Sequence, residues 1–390
     1  MKKGFGHSGR IPSLDGLRAV SILLVIFGHL GRTRYFPHCL DTPSMVANLG
    51  VRVFFVISGF LITTLLLNEL NLTGRISLKN FYLRRVLRIF PASYTFILFI
   101  FAAASAGFIV LHPHDLIHAA TYTTNYAADP SWYIGHLWSL SVEEQFYLMW
   151  PLTLVVLGRR RGLWFAGILC LLIPVLRVGF VWLPAAGSLT GRSFETVSDS
   201  IAVGCLLAGV GDWLSHQAVY NRILSSRLFA VIPVAALSMA VFPLRPRYQY
   251  PVGETLMNVA VALCLHWSMR NPSHAVGKVL NARPAAFLGV LSYSLYLWQQ
   301  LFLNRASQSL WCSFPLNACC VMAAALGSYF LVEKPFLRLK RRFESEPVKG
   351  TAVRKLEEEV LETTPTDRVL PSEVALEGLR ARFVGMSRPQ

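Results

Sequence analysis

The chain has 390 residues, of which 54% are hydrophobic and 15% charged, and its mean hydropathy is +0.47. Soluble domains carry about 25% charged residues, so this composition excludes an ordinary soluble enzyme and predicts a polytopic membrane protein. The net charge of +16 is assigned to basic cytoplasmic loops rather than to nucleic-acid binding.

A short basic lead with Lys2, Lys3 and Arg10 precedes a first helix expected over 13–30. No small-residue cleavage site follows that apolar run, so it reads as a retained helix and not a signal peptide. Further helices are expected over 46–67, 89–111, 138–157, 163–183, 198–214, 228–244, 253–269, 286–304 and 315–332. Each is near the ~20 residues that cross a bilayer, with those between 198 and 269 on the short side. A basic segment holding Arg75, Lys79, Arg84, Arg85 and Arg88 joins the second helix to the third, and a polar, aromatic loop covers 112–137. With the N-terminus inside, the inner segments hold 21 Lys or Arg and the outer loops 6, the asymmetry of a correctly alternating topology. The expected fold is therefore an all-α membrane protein, a bundle of about ten transmembrane helices with both termini cytoplasmic. Residues 1–342 form the membrane domain. Residues 343–390 read as a cytoplasmic, mostly disordered tail, rich in charge and containing Pro347, Pro365, Pro371 and Pro389.

Three groups of residues could carry chemistry. Arg18 and His29 are eleven residues apart on the first helix. That spacing returns the side chain to within roughly 20° and separates the two by roughly 16 Å. Polar groups on one face of an apolar helix point into a bundle or a wet cavity, and imidazole is suited to proton transfer near neutral pH. Arg18 could instead snorkel, with His29 serving only as a bundle hydrogen bond. Arg85 and Arg88 share a helix face and could grip phosphate as a fork, or simply anchor to anionic lipid. Glu143 and Glu144 fall where the helix over 138–157 begins. Ser139 or Ser141 could cap that helix, and one of the two carboxylates could enter the bundle and orient His29.

His112, His114 and His118 lack the carboxylate or cysteine pattern that completes a metal site, so no metal is expected. Ser58 with Gly59 reads as close helix packing rather than a nucleophile. The cysteines in apolar runs, Cys170, Cys205, Cys264, Cys319 and Cys320, read as core. Cys39 and Cys312 fall in outer loops, where a disulfide is conceivable.

Taken in order, these residues resemble the acyltransferase 3 family of integral membrane acyltransferases. The resemblance rests on Arg18-x10-His29 within Leu14-Asp-Gly-Leu-Arg-Ala19, on Phe54-Phe-Val-Ile-Ser-Gly-Phe60, on Arg85-x-x-Arg88, and on Trp138-Ser-Leu-Ser-Val-Glu-Glu-Gln-Phe-Tyr147. Leu291-Ser-Tyr-Ser-Leu-Tyr-Leu-Trp298 and Glu333-Lys-Pro-Phe336 complete it. It implies transfer of an acyl group, usually acetyl, from an acyl-coenzyme A co-substrate to a hydroxyl of a carbohydrate or glycolipid in a bacterial plasma membrane. His29 would be the essential histidine and Arg18 its basic partner, Glu143 and Glu144 would belong to the family's glutamate motif, and Arg85 and Arg88 would face the coenzyme. The chain departs from the family at Arg52, where many members have Asp, and at Gln299, where many have His. A glycan transporter or flippase would also line a path with Arg, His and Glu, and a non-enzymatic scaffold would need none of them.

Overall fold

A computed structural model of the protein describes residues 11, 13–182 and 191–342, and these contain helices and no strand. The predicted tail lies outside the described residues, as do the basic lead and the end of the fifth expected helix.

α1 is Leu14–Leu30 and α2 is Ser44–Thr73, which runs six residues past the end of its apolar core until Gly74 caps it at φ 72°. α3 is Leu78–Ser105. It starts eleven residues before the expected position because the Ser77 hydroxyl accepts from the Asn80 amide, an N-cap the hydropathy pattern does not show. Of the segment expected as a basic connection, Lys79, Arg84, Arg85 and Arg88 thus lie in the first three turns of α3, and Arg75 stays in the link before it.

α4, Leu137–Trp182, merges two expected helices. A straight helix of its 46 residues would be about 69 Å long, over twice the hydrocarbon thickness. It is not straight. Gly158 sits at φ 74°, ψ 170°, and a Cβ built on Gly162 would lie 2.7 Å from Leu154 Cδ2. Eight residues of straight helix would separate those positions by about 12 Å, so the chain doubles back at Gly158. Arg159, Arg160 and Arg161 sit exposed at the turn.

The remaining helices of nine or more residues are α5 (Asp199–Ser215), α6 (Val231–Val241), α7 (Glu254–Arg270), α8 (Arg283–Phe302), α9 (Leu316–Ser328) and α10 (Lys334–Arg342), with shorter ones such as Asp115–Ala120 and Ala218–Ser225 between them. Each of the ten expected apolar segments contains a helix, but the third stops at Ser105, the seventh at Val241 and the ninth at Phe302, short of their expected ends. Among the described residues, four helices are long and apolar enough to cross a membrane: Ser44–Thr73, Leu78–Ser105, Trp132–Trp182 and Leu316–Lys340. A fifth candidate, Ala218–Ser225 with Arg227–Val241, is bent by 68°. α1, α5 and α7 each have 17 residues, just under the ~20 that span the hydrocarbon region.

α2 is the central rod. Its apolar window is 72% buried, against 17% for that of Trp132–Trp182. One core joins α1 and α2 to α3, α4 and α8 around Ile22, Phe55, Phe96 and Leu295, and a second joins them to α5 and α7 around Val56 and Met257. A Cβ at Gly59 would meet the Ile201 carbonyl oxygen at 1.9 Å, and one at Gly204 would meet that of Val56 at 2.1 Å. Glycine at both positions is what lets α2 and α5 approach, the packing role expected at Ser58-Gly59.

Two smaller expectations fail. Neither Ser139 nor Ser141 caps α4, because the helix begins at Leu137 and Ser141 donates back to the Leu137 carbonyl. Of the five cysteines expected in the core only Cys205 is buried, and Cys319 is exposed. In a membrane helix an apolar face can turn to lipid, so apolar sequence does not imply burial. Cys39 and Cys312 are both free thiols.

Candidate active site

The two polar ends of α1 are completed by different helices. At the Arg18 end, α3 brings Arg85 and Arg88, α4 brings Glu143, Glu144 and Tyr147, and α2 brings Ser58. The Arg85 guanidinium carbon lies 3.3 Å from the centre of the Tyr147 ring, and its Nε is 3.8 Å from Glu144 Oε1. Ser58 donates its hydroxyl to Glu143 Oε1 at 2.7 Å. Arg18 Nη1 is 3.6 Å from Asp15 Oδ1. Glu143 is within electrostatic reach of Arg85, Arg18 and Arg88. Glu333, between α9 and α10, accepts from Ser294 at 2.9 Å and is coupled to Arg88 and Arg18. Arg88 joins the group through its charge. Arg85 Nε and Glu144 Oε1 have no hydrogen-bond partner among the described residues. Guanidinium donors held side by side but not consumed internally suit a phosphate-bearing ligand.

At the other end, His29 points into the protein. Its Nδ1 lies 2.9 Å from the Val25 carbonyl oxygen. A carbonyl only accepts, so Nδ1 carries the hydrogen and Nε2 keeps the lone pair of the neutral ring. Gln300 Nε2, on α8, lies 3.5 Å in front of that lone pair. The Trp132 ring packs edge-on at 6.0 Å, and Arg305 donates to the carbonyl of neighbouring Gly28 at 2.7 Å. Gln299 is fully buried, its amide closes no tight hydrogen bond among the described residues, and it lies near enough to His29 to act on the ring beside Gln300.

The structure therefore gathers Arg18, Arg85, Arg88, Glu143 and Glu144 at one end of α1 and leaves His29 at the other, roughly 16 Å away along an unbroken helix. Neither glutamate hydrogen-bonds His29, and Gln300 occupies the place where a carboxylate was expected. Glu333, Gln300 and Arg305 were not singled out from sequence as site residues. Gln300 is 271 positions from His29, a distance at which no local pattern signals contact.

A second charged cluster lies apart from α1. Arg52 of α2 bonds Asn48 at 2.7 Å, Ser200 and Asn258 at 3.0 Å, and Glu254 at 2.5 Å. Arg177 of α4 pairs with Asp199 and bonds Thr255 at 3.0 Å. Among the described residues no group of three or more His, Cys, Asp and Glu could hold a metal ion. His112 instead bonds the Asp129 carbonyl at 2.7 Å, which holds its pKa above the ordinary value, and His118 bonds Thr123 at 2.9 Å.

A family profile described as an acyltransferase domain matches residues 11–333. A Bacillus subtilis (strain 168) protein named provisionally as a peptidoglycan O-acetyltransferase, YrhL, is 30% identical over 379 residues, covering 84% of this chain and 55% of its own. The peptidoglycan O-acetyltransferase OatA of Listeria monocytogenes serovar 1/2a is 27% identical over 334 residues, covering 76% of this chain and 50% of its own. The chain thus spans about half the length of the curated relatives it matches. No solved structure matches it.

Proposed function

Because the chain belongs to the acyltransferase 3 family, we propose that it is a membrane O-acyltransferase, moving an acetyl group from acyl-coenzyme A to a hydroxyl of a cell-surface or lipid-linked glycan. Relatives named for peptidoglycan O-acetylation support a cell-wall glycan as the acceptor. The observation that carries the reading is α1 itself: a single helix with unconsumed guanidiniums gathered at one end and an inward imidazole, its lone pair available, at the other.

The reading takes the ten helical segments as ten crossings of a bacterial plasma membrane with both termini cytoplasmic, the topology that puts 21 basic residues inside and 6 outside. Residues 1–342 are then the catalytic membrane domain and 343–390 a cytoplasmic tail. The Arg18 end faces the cytoplasm, where Arg85 and Arg88 grip the phosphates of the donor. Glu143 and Glu144 offset the cluster's charge and hold Arg85 in place until it docks. The thioester arm reaches along α1 toward His29. There the acceptor hydroxyl oxygen attacks the thioester carbonyl carbon, a C–O bond forms and the C–S bond breaks. His29 Nε2 takes the hydroxyl proton and returns it to the departing thiolate.

The test is the purified protein in lipid vesicles with acetyl-coenzyme A and cell-wall glycan fragments, the products read by mass spectrometry. His29→Ala should lower transfer by roughly 100-fold or more at unchanged protein abundance. Full activity in that variant would remove His29 from the chemistry. Glycan crossing the vesicle membrane with no acyl transfer would identify a transporter instead.

A further inference from the structure

His136 stands just before α4, and its ring is buried between Phe96 and Tyr296, with ring centres at 5.6 and 5.5 Å. Its Nε2 lies 3.0 Å from the Leu297 carbonyl oxygen. That carbonyl is fixed in α8 and can only accept, so the neutral ring carries its hydrogen on Nε2 and leaves a lone pair on Nδ1. His136 therefore presents Gln300 with two opposite groups. Its backbone N–H is 3.3 Å from Gln300 Oε1 and its Nδ1 is 3.1 Å from the same atom. The main chain of Gln300 is held separately, since Trp132 Nε1 donates to its carbonyl at 2.8 Å.

A glutamine amide has the same shape either way round, but a half turn exchanges donor for acceptor. With Oε1 toward His136, the amide accepts from the backbone N–H and aims its own N–H at the His29 lone pair 3.5 Å away. Turned over, it donates to His136 Nδ1 and aims its oxygen at His29. One group of His136 is satisfied in each orientation, so His136 leaves the two closely balanced. The state of His29 then decides between them: the neutral ring wants a donor in front of Nε2, and the imidazolium wants an acceptor.

We infer that Gln300 is a positioning residue for His29, a reversible amide cradled by His136 that faces the resting base with a donor and the protonated base with an acceptor. The inference rests on the reading of His29 as general base. The titratable and charged groups that face His29 are His136 and Arg305, with Arg32 and Asp41 beyond Arg305; the Gln299 amide also reaches the ring and is left in place in both variants below.

Two variants test it in the vesicle assay. Gln300→Met keeps the volume and removes both ends of the amide. Turnover should fall roughly 10-fold, the loss seen when an imidazole loses its orienting partner, while the Michaelis constant for acetyl-coenzyme A stays the same. Gln300→Glu keeps an acceptor and loses the donor. A carboxylate stabilises the imidazolium, so its activity relative to the parent should drop further at pH 6 than at pH 8. A merely structural role would give a pH-independent loss. If Gln300→Met does not accumulate, the pH profile of Gln300→Glu decides. Parent-like turnover and pH profile in these variants, with His29→Ala inactive, would overturn this inference alone. An active His29→Ala would overturn the base reading and this inference with it.

Discussion

Two groups of arginines in this protein have opposite habits. Arg52 and Arg177 are 2% and 0% exposed and their guanidiniums are taken up by side chains and carbonyls of neighbouring segments, with Glu254 and Asp199 supplying matching charge. Arg18, Arg85 and Arg88 are half-buried, and the nearest carboxylates to the first two stand at 3.6 and 3.8 Å. A guanidinium whose donors are all engaged holds helices together. One whose donors are left over can hold something else. Charge alone does not separate structure from function here; the number of donors already used does.

The comparison can be broken most forcefully at Arg177. Arg177→Met leaves Asp199 and Glu254 with one guanidinium between them in a closed interior. Breaking a buried pair costs about 3–5 kcal/mol, so we expect the variant to melt far below the parent in detergent or to fail to accumulate. A parent-like melting profile would show that the cluster is not what fastens α4 and α5 to α7.

The donor end should behave otherwise. Arg85→Ala combined with Arg88→Ala should leave abundance and melting intact but raise the Michaelis constant for acetyl-coenzyme A. Charge-assisted hydrogen bonds contribute roughly 1.5–3 kcal/mol, which corresponds to a change of about 10- to 100-fold. An unchanged constant would return both residues to lipid anchoring. The smallest effect is expected at Arg84, on the same helix but already paired with Glu69 at 3.3 Å near the surface. Arg84→Ala should cost under about 1 kcal/mol of stability and leave donor affinity alone. A large effect on donor affinity there would mean that the general positive field of α3, rather than the free donors of Arg85 and Arg88, attracts the coenzyme.

Much of this was legible in the sequence because helices in lipid are written in local terms. An apolar run must satisfy its own backbone, so each of the ten runs holds a helix. An eleven-residue spacing places Arg18 and His29 on one face of any straight helix. Where boundaries were misjudged, the cause was also local. The Ser77 cap draws Arg85 and Arg88 into α3, and the positive φ of Gly158 folds one run back on itself.

What local pattern did not carry was partnership. Glu143 and Glu144 lie with the guanidiniums and not with His29. Apart from Asn48, the partners of Arg52 are 148 to 206 residues away, and Gln300 meets two histidines that lie 164 and 271 residues from it. By itself the sequence determined which segments are helices and which side chains share a helix face, because both follow from backbone hydrogen bonding within a few residues. Only the tertiary structure decided which charges neutralise each other, which stay free and what stands before the imidazole. Those choices depend on how close two helices can come, and that is set where glycines such as Gly59 and Gly204 let them touch.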